Sequence, residues 1–122
     1  MKVLFVCEGN TCRSPMAQII FSNLAKKHKR TDINVKSAGT WAEDGSGMID
    51  LTAAALIECG EELPDVPFKT TRFTMEMQSQ FDHVFDLRSS PDPCGYNLDA
   101  YIVVCKHLQK ELGTLYDKIC KT

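Results

Sequence analysis

The sequence has almost no excess of charge of either sign. Its 122 residues include 14 lysines and arginines against 16 aspartates and glutamates, which gives a formal net charge of −2. Nucleic-acid-binding domains carry a clear basic excess to neutralise phosphates, so we expect no nucleic-acid partner. The one short basic run, at 26–30, is interpreted as the solvated end of a helix, where cations complement the helix dipole.

Long hydrophobic runs are also missing. Only the apolar residues 3–6 stand between Lys2 and the first polar residues, which is too short for the apolar region of a secretory signal. No stretch reaches the length needed to span a bilayer. We therefore expect no membrane partner and a cytoplasmic location.

The cysteines do not follow a metal-binding pattern. The six cysteines contain no Cys-x-x-Cys pair, and the three histidines stand apart from one another, which is unlike the spacing of zinc sites. Without a secretory signal the cysteines are expected to be free thiols in a reducing compartment.

The residues that are present are sufficient for one folded domain. Hydrophobic residues make up 43% of the chain and charged residues 25%. A length of 122 residues is typical of a single domain. There is no internal repeat and no linker-like segment. We expect residues 1–122 to form one domain.

Strand-like and helix-like segments alternate along the chain. Apolar residues 3–6 predict a strand buried on both faces, and further strands are predicted around Val35 and at 83–87, with a flexible segment at 37–39. Helices are predicted from Pro15, with Ser14 as N-cap, to the basic run; from Ile49 to Cys59; within 74–80; and along 98–119. The alternation predicts an α/β fold of three layers, with a central parallel sheet and helices on both faces.

Cys7 stands at the carboxyl end of the first predicted strand, with five residues between it and Arg13 at the start of a helix. We refer to residues 7–14 as the Cys7 loop. Its amide groups can turn inward to form a nest for an anion, and the helix adds the positive end of its dipole. The guanidinium of Arg13 can bind two phosphate oxygens at once. The pattern predicts a phosphate-binding loop.

The same positive field favours a Cys7 thiolate, which is a strong nucleophile toward phosphorus. Ser14 can donate its hydroxyl to that thiolate, and Gly9 and Asn10 are expected to supply left-handed backbone. Among the acidic residues in predicted loops, Asp92 is favoured as the acid because a proline on each side fixes its backbone. The residues predict a two-step hydrolysis in which Asp92 protonates the leaving group and then activates water. No metal or cofactor is expected.

Residues 6–15, Val-Cys-Glu-Gly-Asn-Thr-Cys-Arg-Ser-Pro, resemble the signature loop of low-molecular-weight protein tyrosine phosphatases. Residues 37–40 resemble that family's second-strand segment, and Asp92-Pro93 resembles its general-acid motif. The resemblance implies hydrolysis of protein phosphotyrosine through a cysteinyl-phosphate intermediate, with phosphorylated proteins as partners. It implies Cys7 as nucleophile, Arg13 as phosphate clamp, Asp92 as general acid and base, Ser37 in a supporting network, and Glu8, Gly9, Asn10, Thr11, Cys12, Ser14 and Trp41 as substrate-binding residues.

Three departures from the family pattern are visible. Cys94 stands where the family usually has an aromatic residue, and the family's histidine near Phe68 is missing. The interval from Leu87 to Pro91 is short. We therefore expect a sheet shortened by about one strand and one helix relative to the family.

Several alternatives remain at this stage. Tyrosine-specific relatives have isoleucine at the position of Thr11, whereas relatives that dephosphorylate arginine have threonine, so protein phosphoarginine is the alternative substrate. Similar loops also serve arsenate reductases, which need further cysteines, and here only Cys94 lies in the corresponding segment. An inactive phosphate-binding module is the third alternative. Cys12 either packs at the helix start or forms a reversible disulfide with Cys7.

Overall fold

A computed structural model of the chain describes residues 1–120. Three strands alternate with four helices, in the order that the sequence pattern predicts. The strands are β1 (Lys2–Cys7), β2 (Asn34–Gly39) and β3 (His83–Asp86). The helices are α1 (Arg13–Lys27), α2 (Asp50–Glu58), α3 (Met77–Gln80) and α4 (Leu98–Cys120).

The three strands form one parallel sheet in the order β2-β1-β3. The apolar strand β1 lies in the centre, and all its residues except Lys2 are buried. The register pairs Cys7 with Gly39 and Val6 with Asp86. The carboxyl ends of all three strands therefore meet at one edge, which is where ligands bind in open α/β sheets.

The two faces of the sheet are covered unequally. Val3 and Phe5 point into the main core, which contains buried residues of α1, α2 and α4. Leu4 and Val6 point to the other face and join a smaller cluster with Met77 of the short helix α3 and neighbouring loop residues. The prediction of a three-layer α/β fold is confirmed, with one thick and one thin helical layer.

Two local predictions are wrong. Ser14 is not the N-cap of α1: the helix begins at Arg13 with Cys12 as N-cap, because the Ser14 hydroxyl lies at the Cys7 sulfur. Residues 37–39 are not flexible, since they are buried and pair with β1. The bounds of α2 agree with prediction to within a residue at each end, and Gly60 after it has a left-handed φ of 84°.

After β3 the chain passes directly into a loop, 87–97, that leads to α4. We call this segment the Asp92 loop. β3 pairs with β1 alone and forms an edge of the sheet within residues 1–120, as the short interval after Leu87 predicts. No helix among these residues is long and apolar enough to cross a bilayer.

Candidate active site

The Cys7 loop connects the end of β1 to the start of α1. The Cys7 side chain is buried, with 2% of its surface exposed. Its Sγ lies 2.9 Å from Ser14 Oγ and accepts a hydrogen bond of 3.3 Å from the Asn10 amide. Both contacts can stabilise a negative charge on the sulfur.

Most amides of the Cys7 loop have no hydrogen-bond acceptor in the part of the chain that the structure describes. Within residues 1–120, the N–H groups of Glu8, Gly9, Thr11 and Cys12 make no hydrogen bond to another protein group. Four unpaired donors within five consecutive residues are unusual in a folded chain unless they face water or a ligand. Together with the first turn of α1 they form the type of nest that binds anions.

Asn10 holds the loop in shape. Its backbone adopts the left-handed φ of 56°, and its fully buried side chain donates to Ser14 Oγ at 2.8 Å and to Ser37 Oγ at 2.9 Å. Its Oδ1 accepts a 2.8 Å bond from the Thr71 amide. Ser37 in turn donates to Gln18 at 2.5 Å. The network that the family resemblance implies for Ser37 is thus present, and it also includes Gln18 and Thr71.

Gly9 does not take the left-handed conformation expected for it; among residues 1–120 the positive φ angle of the Cys7 loop belongs to Asn10. The glycine that lies closest against the Cys7 loop is instead Gly39. A Cβ on Gly39 would lie 2.6 Å from the Glu8 carbonyl oxygen and 2.8 Å from the Asn10 nitrogen. The sequence reading missed this role because it treated 37–39 as a flexible segment. The parallel register of β1 and β2 was the signal that could have identified it.

Arg13 is buried and is fixed by the segment that follows β3. Its Nη1 donates to three backbone carbonyls at 3.0, 3.1 and 3.1 Å, those of Leu87, Arg88 and Ser90. These bonds set the plane of the guanidinium beside the Cys7 loop. Nη2 lies 3.5 Å from Asp92 Oδ2 and 3.9 Å from Glu8 Oε1. The Nη2 side of the guanidinium therefore faces the candidate general acid, Asp92, and the exposed side chain of Glu8.

The Asp92 loop places the Asp92 carboxylate beside the Arg13 guanidinium. Its Oδ1 accepts a 3.0 Å bond from the Cys94 amide, and its side chain is half-exposed. Pro93 beside it is fully buried and anchors the segment. The structure therefore brings the candidate arginine and acid together, although Arg13 and Asp92 are 79 positions apart in the sequence.

Trp41 lies beside the Cys7 loop, and Thr11 within the loop contacts the start of α2. The Trp41 amide donates to the Glu8 carbonyl at 2.7 Å, and its side chain is 78% exposed. The indole is therefore a surface group beside the loop and not a core residue. The Thr11 carbonyl accepts bonds from the hydroxyl of Thr52 at 2.8 Å and from the amide of Ile49 at 3.2 Å, which ties the loop to the start of α2.

Cys12 meets the Asp92 loop. Its Sγ lies 3.8 Å from Cys94 Sγ and 3.5 Å from the hydroxyl of Tyr101. Burial, reinforced by the neighbouring Cys12, raises the pKa of both the Cys94 thiol and the Tyr101 phenol above their ordinary values. All six cysteines are free thiols, as the sequence predicts.

Comparison with known proteins identifies the family. Residues 2–90 match the family model for low molecular weight phosphotyrosine protein phosphatase. The chain belongs to this family. Its members are phosphoric monoester hydrolases, and this chain is a protein phosphatase of that class. The match ends two residues before Asp92, so the candidate acid lies outside it.

Individual relatives extend the likeness over nearly the whole chain. The protein-arginine-phosphatase of Bacillus subtilis strain 168 is 31% identical, over 99% of this chain and 95% of its own length. The low molecular weight phosphotyrosine protein phosphatase of Dictyostelium discoideum is 33% identical over 87% of this chain and 63% of its own. The crystal structure of the T. tengcongensis low molecular weight protein tyrosine phosphatase superposes with a TM-score of 0.87 at 27% identity, covering 98% of this chain and 99% of its own.

The alignment with the Bacillus subtilis relative also supports a shortened chain. It extends over 148 positions, more than the 122 residues of this sequence. That relative therefore contains residues that this chain lacks.

Proposed function

We propose that this phosphatase hydrolyses phosphotyrosine in proteins through a phosphocysteine formed on Cys7. The supporting observation is the buried Cys7 sulfur, in contact with the Ser14 hydroxyl, inside a loop in which the amides of Glu8, Gly9, Thr11 and Cys12 have no acceptor among residues 1–120. In the proposal, the amides bind the non-bridging phosphate oxygens, and Nε and Nη2 of Arg13 bind two of them side by side. Trp41 supports the substrate ring from the exposed side.

In the first step, the Cys7 thiolate attacks phosphorus while the phosphate–tyrosine P–O bond breaks. Asp92, in its protonated form, gives its proton to the departing phenolate oxygen. The loop amides and Arg13 stabilise the charge that spreads over the phosphoryl oxygens in the transition state. The products of this step are the tyrosine side chain and the phosphocysteine.

In the second step, the Asp92 carboxylate takes a proton from a water molecule, whose oxygen attacks phosphorus. The S–P bond breaks, inorganic phosphate leaves, and the electron pair returns to the Cys7 sulfur. The Ser14 hydroxyl and the Asn10 amide then stabilise the regenerated thiolate. All proton and phosphoryl transfers are thereby assigned to side chains of the site and water.

Phosphoarginine is the second candidate substrate. Thr11 is a specific feature in its favour, because a small polar side chain at this position offers room and a hydroxyl to a phosphoguanidinium group. The relative from Bacillus subtilis, similar over 95% of its own length, is named protein-arginine-phosphatase. In this case Asp92 would protonate the leaving nitrogen as the P–N bond breaks. We also propose a cytoplasmic location, in keeping with the six free thiols, and phosphorylated proteins as partners, in keeping with the family.

The first test is hydrolysis of an aryl phosphate by the wild type and by Cys7→Ser and Asp92→Asn. We expect turnover by Cys7→Ser to fall to background with phosphate binding retained. We expect kcat of Asp92→Asn to fall by about 10²–10⁴, the usual contribution of general acid–base catalysis. Cys59→Ser and Asp65→Asn serve as matched controls outside the site. Turnover that survives in Cys7→Ser would contradict the mechanism.

The second test separates the substrates. Values of kcat/KM are compared on phosphotyrosine and phosphoarginine peptides for the wild type and Thr11→Ile. We expect Thr11→Ile to shift the preference toward phosphotyrosine, and an unchanged ratio would remove Thr11 as the determinant. Arsenate reduction with a thiol donor and no ester hydrolysis would identify a reductase, and phosphate binding without any turnover would identify an inactive module.

A further inference from the structure

Cys12 and Cys94 form a thiol pair across two separate segments. They are 82 positions apart in the sequence, yet their sulfurs are 3.8 Å apart. Cys12 is buried at the start of α1, and Cys94 is exposed in the Asp92 loop. The Cys7 sulfur has different neighbours, the Ser14 hydroxyl and the Asn10 amide. The thiol nearest to Cys94 is therefore Cys12.

We propose that Cys12 and Cys94 are a reversible disulfide site. A disulfide needs a sulfur–sulfur distance of about 2.05 Å, so the sulfurs must approach by less than 2 Å. The Asp92 loop can supply this movement because residues 87–97 belong to neither a helix nor a strand. Its exposure also gives a small oxidant and a reducing dithiol access to Cys94.

Hydrogen peroxide is the oxidant in this reaction. The thiolate of one cysteine attacks a peroxide oxygen, the O–O bond breaks, and a sulfenic acid and hydroxide form; the hydroxide takes the released proton as water. The sulfur of the second cysteine then attacks the sulfenic sulfur, the S–O bond breaks, and a second water leaves. The two thiols lose two protons and two electrons in total, and the peroxide is reduced to water. A dithiol reverses the reaction by thiol–disulfide exchange.

The disulfide would act directly on the Asp92 loop. The Cys94 amide donates to Asp92 Oδ1, and Asp92 Oδ2 faces Arg13. Drawing Cys94 toward Cys12 therefore displaces the carboxylate and ties this loop to the Cys7 loop. This consequence rests on the proposed function, whereas the disulfide itself does not. We expect the oxidised form to lose activity and the dithiol-treated form to regain it.

The test is disulfide mapping on the folded protein. Wild type and Cys7→Ser are treated with hydrogen peroxide, free thiols are alkylated, and cross-linked peptides are identified by mass spectrometry. We expect a Cys12–Cys94 cross-link in both proteins, lost on dithiothreitol treatment. Because Cys7→Ser cannot form a Cys7 disulfide and is expected to be inactive, its cross-link tests the site independently of catalysis.

Three variants control the mapping. Cys12→Ser and Cys94→Ser should each lose the cross-link, and Cys120→Ser, at the far end of α4, should keep it. A wild-type map in which Cys12 is joined only to Cys7, or in which Cys12 and Cys94 are both alkylated, would overturn the proposal. If the cross-linked protein keeps its full aryl phosphatase activity, the proposed Cys12–Cys94 disulfide is supported, but its proposed effect on the Asp92 loop is refuted.

Discussion

Ser14 joins the nucleophile to the buried network beneath it. Its Oγ lies 2.9 Å from Cys7 Sγ and accepts the Asn10 side-chain amide at 2.8 Å. Since the amide uses an acceptor position of the hydroxyl, the hydroxyl hydrogen is available to the sulfur. The alternative acceptor, the Ala38 carbonyl, is farther away at 3.5 Å. Ser14 therefore stabilises negative charge on Cys7 at close range.

Ser14→Ala should slow both catalysis and alkylation of Cys7. A hydrogen bond to a charged group contributes about 1.5–3 kcal/mol, which corresponds to a fall of roughly ten- to a hundredfold. The measurements are kcat on an aryl phosphate and the rate of Cys7 modification by iodoacetamide at neutral pH. Ser79→Ala, in the exposed helix α3, is the matched control and should leave both rates unchanged. Equal rates in Ser14→Ala and wild type would mean that the hydroxyl does not act on the sulfur.

At the scale of single residues, the sequence predicted which side chains contact Cys7 better than it predicted the backbone conformation of the loop. The proximity of the Ser14 hydroxyl to Cys7 was predicted correctly, but its N-cap role was not. The left-handed residue of the Cys7 loop is Asn10, which can adopt this conformation because its side chain makes three compensating hydrogen bonds, two of them fully buried. Local propensity alone gave equal weight to Gly9 and Asn10, and it could not include those tertiary contacts.

Among the elements, β2 runs close to the Cys7 loop at Gly39. Gly39→Ala would place a Cβ 2.6 Å from the Glu8 carbonyl oxygen, and backbone atoms cannot yield cheaply. We expect the free energy of unfolding to fall by about 1–3 kcal/mol, as for other overpacked sites, together with a large loss of activity. Chemical denaturation and aryl phosphate hydrolysis measure the two effects.

Gly113→Ala provides the matched control for this substitution. Gly113 lies inside α4, and a Cβ there meets nothing within 4 Å. Because alanine is the better helix former, this variant should be more stable than wild type by about 0.5–1 kcal/mol with activity unchanged. Gly39→Ala behaving like Gly113→Ala would contradict the close approach of β2 to the loop.

The turn between α1 and β2 contains a charge pair with a defined pH dependence. Hydrogen bonds from Arg30, at 2.8 and 2.9 Å, lower the pKa of the Asp32 carboxyl from 3.8 to about 2. A carboxyl group whose pKa is lower in the folded state than in the unfolded state stabilises the fold at any pH above its unfolded-state pKa. This contribution is lost as the pH falls through the folded-state pKa. The contribution is therefore present above pH 4 and disappears toward pH 2.

Asp32→Asn should make the decline in stability between pH 4 and pH 2 shallower. The effect is small because the pair is exposed and screened by solvent. The measurement is the urea midpoint as a function of pH, with Asp65→Asn, at an exposed carboxylate, as the control. A decline in Asp32→Asn as steep as that of the wild type would show that the pair does not affect folding.

On the scale of the whole molecule, one core joins most of the elements. The main cluster contains residues of β1 and of α1, α2 and α4, among them the buried Tyr101 and Tyr116. We infer that residues 1–122 unfold as a single domain. Urea unfolding followed by far-UV circular dichroism and by the near-UV signal of the buried tyrosines should then give coincident curves. Two separated transitions would contradict a single cooperative unit.

The sequence was informative about the fold because its signals are local. The apolar run of β1 and the apolar residues that recur every three or four positions in α4 each specify an element from neighbouring residues alone. The contacts between distant segments were not predictable in this way. The bonds from Arg13 to Leu87 and its neighbours, and the approach of Cys12 to Cys94, join positions 74 to 82 residues apart. They arise from strand order and loop path, which periodicity does not encode.

The most direct test of the central claim is to trap the intermediate. Wild type is mixed with an aryl phosphate, quenched with acid within the first turnovers, and digested for mass spectrometry, with Asp92→Asn as a parallel sample. We expect a phosphoryl group on the sulfur of Cys7, and none on the corresponding peptide of Cys7→Ala. A phosphoryl group on another residue, or ester hydrolysis without any phosphorylated Cys7, would contradict it.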